Sequence, residues 1–478
     1  MDNIPFEKLA VQFVCKTASL VPEQYRSLIF ASPLSARTPD LCMLWHDNYR
    51  EKHKIRLVIK LSLSLCLACM KGLVRLAGKF RPFGYALYGK INNTILVVTS
   101  TCGTESENSE FRTPYICSEK DDAMFVFGDL KHCGKNAIRP AELPFTGKVS
   151  LIYAFTKNGI CSFFASRGNV FDKTLLLLQW LTWVFGLQWL YIYYLEKSLS
   201  KVIEQHNISN IGCIHELHDY ARIVWRVAFK YKATGYTIQH AAITSGKRWY
   251  FSYPEEVEAG LMLPAVMYVY NKNIGERLKP FFKKTRFALG CSYRYAHWKD
   301  VKKNVNNKGE YYLFVGALAG FDNETLISSI QHLLLSAKNP LPIRLRLHPL
   351  AQISFTSMRW IRLNSEKGII NISKNVSLES DIKKAIAVIG MSTTVLEEAL
   401  LMGRPVIQLT NTDYLKYIDI DGIRGVIKKN YRELSDKDLL DISDTDVDSE
   451  SMEESLGLKQ PLVNYQQLFA VLQKDECL

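Results

Sequence analysis

Past Glu310, short runs of β-forming residues alternate with segments of helical character. In order they read strand "YYLFVGAL", helix "NETLISSIQHLLLSA", strand "IRLRLHP", strand "GIINIS", helix "LESDIKKA", strand "IAVIG", helix "STTVLEEALLMG" and strand "PVIQL". Strands joined through helices cannot pair as tight hairpins. They pair in parallel, and the helices then cover both faces of the sheet. The expected result is a doubly wound α/β domain whose ligands bind in the crevice beyond the carboxyl ends of the strands.

A less regular version of the pattern starts at Val149. "VSLIYAF" reads as a strand, the aromatic run after it as a helix, "NIGCIH" as a strand, "YARIVWRVAFKY" as an amphipathic helix and "GYTIQH" as a strand, followed by "AVMYVYN" and "TRFALGCS". Between the two series, "YRYAHWKDVKKNVNNKGE" is polar, rich in Lys and Asn, and reads as a linker. The expected organisation is an α/β chain of two Rossmann-like domains facing each other across a cleft. The first takes residues 1–296 and the acceptor side, and the second takes 309–435 and the nucleotide donor. Residues 436–478 follow as an acidic, solvated loop, "SDKDLLDISDTDVDSESMEES", and a last helix, "NYQQLFAVLQK". The first hundred residues carry less pattern: "KLSLSLCLACMKGLVRLAGKF" reads as a helix with basic ends and "NTILVVTST" as a buried strand.

With 47% hydrophobic and 22% charged residues over 478 positions, the chain is no disordered tail. Its formal charge of +13 calls for an anionic partner: nucleic acid, a nucleotide-activated substrate or an acidic membrane surface. No RNP, zinc-finger or helix-turn-helix signature is present, so nucleic acid is not the expected partner. Eleven scattered cysteines suit a reducing compartment better than a disulfide framework. Cys66 and Cys69 of "CLAC" read as core packing, and no metal or cofactor is expected. "MDNIPFEKLAVQF" has no basic start followed by an apolar core, which leads to a cytoplasmic expectation. Leu175 to Leu195 holds no charge over nearly a bilayer's length, but its Gln, Thr, Trp and Tyr residues favour a buried or interfacial helix over a span.

Chemistry concentrates at the strand ends. In "VIGMSTTVLEEALLMGRPVIQL", Ser392 falls in the N-cap region of a helix, and Thr393 and Thr394 follow it. The N–H groups of such a first turn, joined by three hydroxyls, will hold a phosphate; equally, they will simply cap the helix. Of Glu397 and Glu398, one is expected to face inward and accept from ribose hydroxyls and the other to face solvent, or both are ordinary helix formers. His348 ends the strand "IRLRLHP", which Pro349 terminates; its imidazole could bond a phosphate oxygen and, when protonated, supply a proton to a leaving phosphate. A turn histidine is the plain alternative. Arg346, on the same strand, is expected on the substrate side. Glu216, just past "NIGCIH", is presented to a crevice as a general base. Asp219 competes with it or merely opens the helix that carries Arg222 and Arg226, and both Asp219 and Arg222 are expected to touch substrate. His215, Glu216, His218 and Asp219 match no zinc spacing. Gln239 and His240 end the next strand and are expected to look into the crevice with Glu216, and Arg248 and Trp249 either touch a sugar or fix the loop.

The segments "HELHDYARIVWRVAFKYKATGYTIQHAAI", "FALGCSYRY", "RLRLHPL" and "GMSTTVLEEALLMGRPVI" together resemble bacterial surface-polysaccharide glycosyltransferases of GT-B architecture, over roughly residues 211–409. Similar are the sialyl-, polysialyl- and Kdo-transferase types that use CMP-sugars. The resemblance implies that His348, Ser392, Thr393 and Thr394 contact a CMP phosphate and that Glu216 is the base. It also implies metal-independent transfer of an acidic sugar to a surface glycan or lipid-linked acceptor at the inner membrane face, as in capsule or lipopolysaccharide synthesis. Where many such enzymes carry two adjacent acids and a glycine, this chain has "HELHDY". CDP-glycerol phosphotransferases of cell-wall polymer synthesis share HP and STT-like turns and are the alternative within this chemistry. UDP-sugar epimerases fit less well, since no "DSGG" turn is present. A basic, non-catalytic nucleic-acid-binding protein is the alternative of another class.

Overall fold

The computed structural model describes residues 5–37, 44, 47–76, 83–88, 95–99, 123–129, 137–213, 217–239, 241–244, 246–290, 295, 298, 309–317, 320–337, 341–348, 351, 353–411 and 417–460. The chain divides into two compact units, the first built from Met1–Ala241 with Lys247–Gly290 and the second from Cys291–Pro461 with Ala242–Gly246. Each is an α/β unit with one sheet, the pair of Rossmann-like domains expected from the sequence.

The first sheet has seven strands: β1 (Phe83–Tyr88), β2 (Ile95–Thr99), β3 (Ala123–Asp129), β4 (Asn210–Cys213), β5 (Thr234–Ile238), β6 (Val266–Val269) and β7 (Arg286–Leu289). Their order is β1-β3-β2-β4-β5-β6-β7. Only β1 runs antiparallel to its neighbour. The chain order reverses between β2 and β4, so the ligand crevice of this sheet is expected past the ends of those strands.

Three helices fill the connection from β3 to β4: Phe145–Ala165, Val170–Phe185 and Trp189–His206. The first corrects the expectation of a strand at "VSLIYAF". Its buried positions are Lys148, Leu151, Phe155, Gly159 and Ser162, a helical stripe visible only over a window longer than those seven residues. The aromatic run is buried, as one of its two readings had it, but it forms two helices with axes bent by 57°. The break falls where Leu187 takes a positive φ of 53°, and the Trp189 indole donates to the Val184 carbonyl at 3.1 Å. Trp180, Trp183 and Trp189 are all buried there. The "CLAC" segment lies on the helix Lys54–Leu76 and is also corrected: Cys66 is exposed, because the buried stripe runs through Leu57, Leu61, Ala68 and Gly72 instead.

The second sheet is wholly parallel: β8 (Tyr311–Val315), β9 (Ile343–Arg346), β10 (Ile370–Ile372), β11 (Ala385–Gly390), β12 (Val406–Thr410) and β13 (Val426–Asn430), in the order β10-β9-β8-β11-β12-β13. Its central strands are buried on both faces: Leu313, Phe314, Val388, Ile389 and Ile407 are each fully enclosed. Such strands read as unbroken apolar runs, which is why they stood out in the sequence. A helix the sequence reading passed over, Phe355–Glu366, joins β9 to β10; it buries only Ser357 and Ile361. The acidic stretch is not the solvated loop expected. It forms the helices Asp436–Ser443 and Ser449–Ser455 and buries Leu439, Ile442 and Met452. Leu439 and Ile442 sit one turn apart on a single face, and a Ser435–Asp438 capping box starts the first helix. The expected last helix "NYQQLFAVLQK" lies outside the described residues.

Candidate functional site

The carboxyl edge of the second sheet gathers most of the polar groups singled out by sequence. β8 lies between β9 and β11, and its last residue, Val315, pairs with Arg346 on one side and Gly390 on the other. His348 and Ser392 each follow two residues beyond those partners. They therefore emerge from the same edge, two strand spacings or roughly 10 Å apart. The chain order reverses between β8 and β11, so this edge holds the crevice in which doubly wound sheets bind ligands.

Close backbone approach shapes the edge. A Cβ on Gly316 would lie 2.8 Å from Asn323 Oδ1 and 3.4 Å from the His348 amide nitrogen, so only glycine fits where β8 leaves the sheet. Asn323 accepts from the Ala317 N–H and donates back to its carbonyl, both at 2.9 Å, clamping the turn into the helix Gly320–Ser336. Next to it, Asp322 is 1% exposed, and neither carboxylate oxygen has a hydrogen-bond partner among the described residues. Burial pushes its carboxyl up to about 8.

Past β11, Ser392 and Thr393 are each 8% exposed. The helix Val395–Leu401 starts later than expected. Its N-cap is Thr394, in αR conformation and without a side-chain cap, rather than Ser392; Thr393 Oγ1 accepts from the Val395 N–H at 3.4 Å. Neither glutamate faces solvent, which corrects the expectation that one would: Glu397 is fully buried and Glu398 nearly so. The helix Ser449–Ser455 packs on this segment, and the Tyr295 hydroxyl donates to Glu397 Oε2. His348 is half-buried. Arg346, expected on the substrate side, is committed elsewhere: it donates to Asp381 at 2.6 Å and to the Val376 carbonyl at 2.8 Å, and Arg344 reaches the other Asp381 oxygen at 3.0 Å.

In the first unit, Glu216, His215 and His240 lie outside the described residues. Asp219 is the first residue of the helix Asp219–Lys230 and accepts from the Tyr220 N–H, the helix-opening role that sequence left open for it. Two expected substrate residues are interior ones. Arg222 donates to the Leu217 carbonyl at 3.0 Å and to Ser35 Oγ at 2.7 Å, and burial draws its pKa down to about 10. Gln239 joins neighbouring strand ends, donating to the Ala241 carbonyl at 2.9 Å and accepting from the Tyr270 N–H at 3.1 Å. Arg248 pairs with Glu7 at 3.1 Å, which favours the loop-fixing reading. A buried cluster went unseen in the sequence: Glu256 accepts from Arg37 at 2.9 Å and from Ser35 at 2.8 Å and lies 4.0 Å from Arg222. Burial alone raises the Glu256 pKa, but the two guanidinium groups outweigh it and hold the carboxyl below its usual range. Its residues are scattered over more than two hundred positions, and no local pattern links them.

No known protein family matches the chain, and no curated protein does. Among solved structures it is similar to UDP-N-acetylglucosamine 2-epimerase from Rickettsia bellii, at 11% identity and a TM-score of 0.41, over 80% of this chain and 96% of that one. It is also similar to UDP-GlcNAc 2-epimerase from Methanocaldococcus jannaschii (14%, TM-score 0.38, 59% and 82%). A third is Acinetobacter baumannii MurG (10%, TM-score 0.34, 60% and 80%). At these TM-scores the likeness adds nothing to what strand order and register show.

Proposed function

We propose that this chain is a GT-B glycosyltransferase that moves a sugar from a nucleotide-activated donor onto a surface glycan or a lipid-linked acceptor at the inner membrane face. One observation carries the reading: β8 separates β9 from β11, so His348 and the Ser392–Thr394 turn share one crevice edge. In this reading the N–H groups and hydroxyls of the turn hold the donor phosphate, and His348 bonds one of its oxygens. Glu397 and Glu398, both enclosed on the helix behind the turn, are the candidate acceptors for ribose hydroxyls. Glu216, three positions past the end of β4 in the sequence, is the candidate base.

The acceptor oxygen attacks the anomeric carbon, and the bond from that carbon to the phosphate oxygen breaks. Glu216 takes the acceptor proton, and His348 supplies one to the departing phosphate. A donor that is CMP-linked and acidic is the choice favoured by the sequence resemblance, and the charge of +13 would draw such an anion in.

Thermal unfolding in the presence of CMP-, CDP- and UDP-activated donors tests this. A ligand that binds only the folded chain raises its unfolding temperature. The CMP-sugar is expected to protect, and His348→Ala to remove the protection. Protection by CDP-glycerol alone favours the phosphotransferase. No protection by any donor, with salt-sensitive retention on nucleic acid, sinks the enzyme reading.

A further inference from the structure

Two helices of the first unit turn apolar stripes to solvent. On Lys54–Leu76 the buried stripe packs against Val170–Phe185, so closely that a Cβ on Gly72 would lie 1.9 Å from the Phe185 carbonyl oxygen. Arg75 donates to the Gly186 carbonyl at the same junction. The opposite stripe is Ile55, Ile59, Leu63, Leu67, Met70 and Val74, each 51–78% exposed and spaced at three or four residues. A surface helix ordinarily turns polar residues outward, and an apolar strip roughly 30 Å long marks an interaction surface. The helix Phe145–Ala165, packed on the same Val170–Phe185 helix, repeats the pattern: Phe145, Tyr153 and Phe164 are 61–75% exposed.

We propose that this face docks on an anionic lipid bilayer, with the helix Lys54–Leu76 lying in the headgroup plane. Charge selects the partner. The helix carries five basic residues, Lys54, Arg56, Lys60, Lys71 and Arg75, and no acidic one. Lys54 also reaches Glu51 at 2.7 Å, whereas Arg56, Lys60 and Lys71 are exposed and, four and eleven residues apart, follow one border of the apolar stripe. An interfacial helix has this layout, with apolar side chains among the acyl groups and basic ones reaching the headgroups. A second copy of this chain docked through the same face would set these like charges against one another, which argues against it as the occupant.

By length and composition the helix could also cross a membrane. Two facts place it along the surface instead. Only ten residues separate Lys60 from Lys71, about 15 Å of helix and half of a hydrocarbon core. Its other side is packed on the protein's own helix along most of its length.

The inference needs no nucleotide site and stands if the donor reading fails. Flotation of the full chain with phosphatidylcholine vesicles, with and without phosphatidylglycerol, tests it. The chain is expected to float with the anionic vesicles, to float less with the neutral ones, and to be released by salt. Leu63→Ser with Leu67→Ser, at positions already in solvent, is expected to weaken vesicle binding at least about tenfold at an unchanged unfolding temperature. Lys60→Gln with Lys71→Gln is expected to remove most of the preference for phosphatidylglycerol. Donor protection without lipid stays at the parental level in both variants. The proposal is overturned by no flotation with either vesicle, by flotation that neither double variant changes, by a dimer that the leucine variant disperses, or by vesicle-bound chain that resists alkaline carbonate.

Discussion

Tyr295 donates its hydroxyl to Glu397 Oε2 across 102 positions of the chain, and both residues are buried. The bond ties the segment entering the second unit to the helix behind the Ser392–Thr394 turn. Tyr295→Phe removes one donor from an enclosed carboxylate and is expected to cost about 1–3 kcal/mol. Chemical denaturation of Tyr295→Phe, Glu397→Gln and the double variant measures it; strictly additive losses would show that the bond contributes nothing of its own.

Asp322 makes stability depend on pH in the less usual direction for a carboxyl group. Its folded pKa of about 8 stands above the ordinary value of 3.8, so the folded chain holds a proton that the unfolded chain has released. The contribution is full below the unfolded value and is lost as pH rises from there towards 8, on the order of 4 kcal/mol by pH 7. Asp322→Asn is expected to stabilise the chain at neutral pH and to flatten this part of the profile. Urea midpoints across the window check it, and a parental profile that rises with pH there with no change in the variant contradicts it.

Glu256 faces two buried guanidinium groups, Arg37 and Arg222. Glu256→Gln leaves Arg37 with Glu7 alone and takes from Arg222 the carboxylate it faces, and is expected to cost about 3–5 kcal/mol. Because its folded pKa is lowered, its stabilising share is present above the unfolded carboxyl value and disappears as pH falls through the folded one. The denaturant midpoint should drop at an unchanged slope.

His348 and Glu216 are expected to matter to chemistry rather than to folding. His348→Ala or Glu216→Ala should lower transfer by about 10²–10⁴ with little change in unfolding temperature. Full activity in both variants removes the proposed mechanism. Arg346→Ala should do the reverse, lowering stability through Asp381 and leaving the donor KM in place.

The second sheet was legible almost strand by strand because parallel strands buried on both faces are apolar runs bounded by turn residues. The helix Phe145–Ala165 was not, since "VSLIYAF" taken alone satisfies a strand pattern and only its continuation to Ser162 shows the helical stripe. The burial of Glu397 was equally out of reach. It depends on Tyr295 and on the helix Ser449–Ser455, both far away in the chain.

Local spacing and residue type by themselves determined that each half of this chain builds a mainly parallel sheet, and that an imidazole and three hydroxyls stand just past strands of the second. Only the tertiary structure decided that one strand separates them. It also decided that Arg346, Arg222 and Gln239 spend their polar groups on the protein itself. Periodicity reports which face of a segment is buried, whereas the neighbour a strand takes and the partner a charge finds are set by contacts between distant parts of the chain.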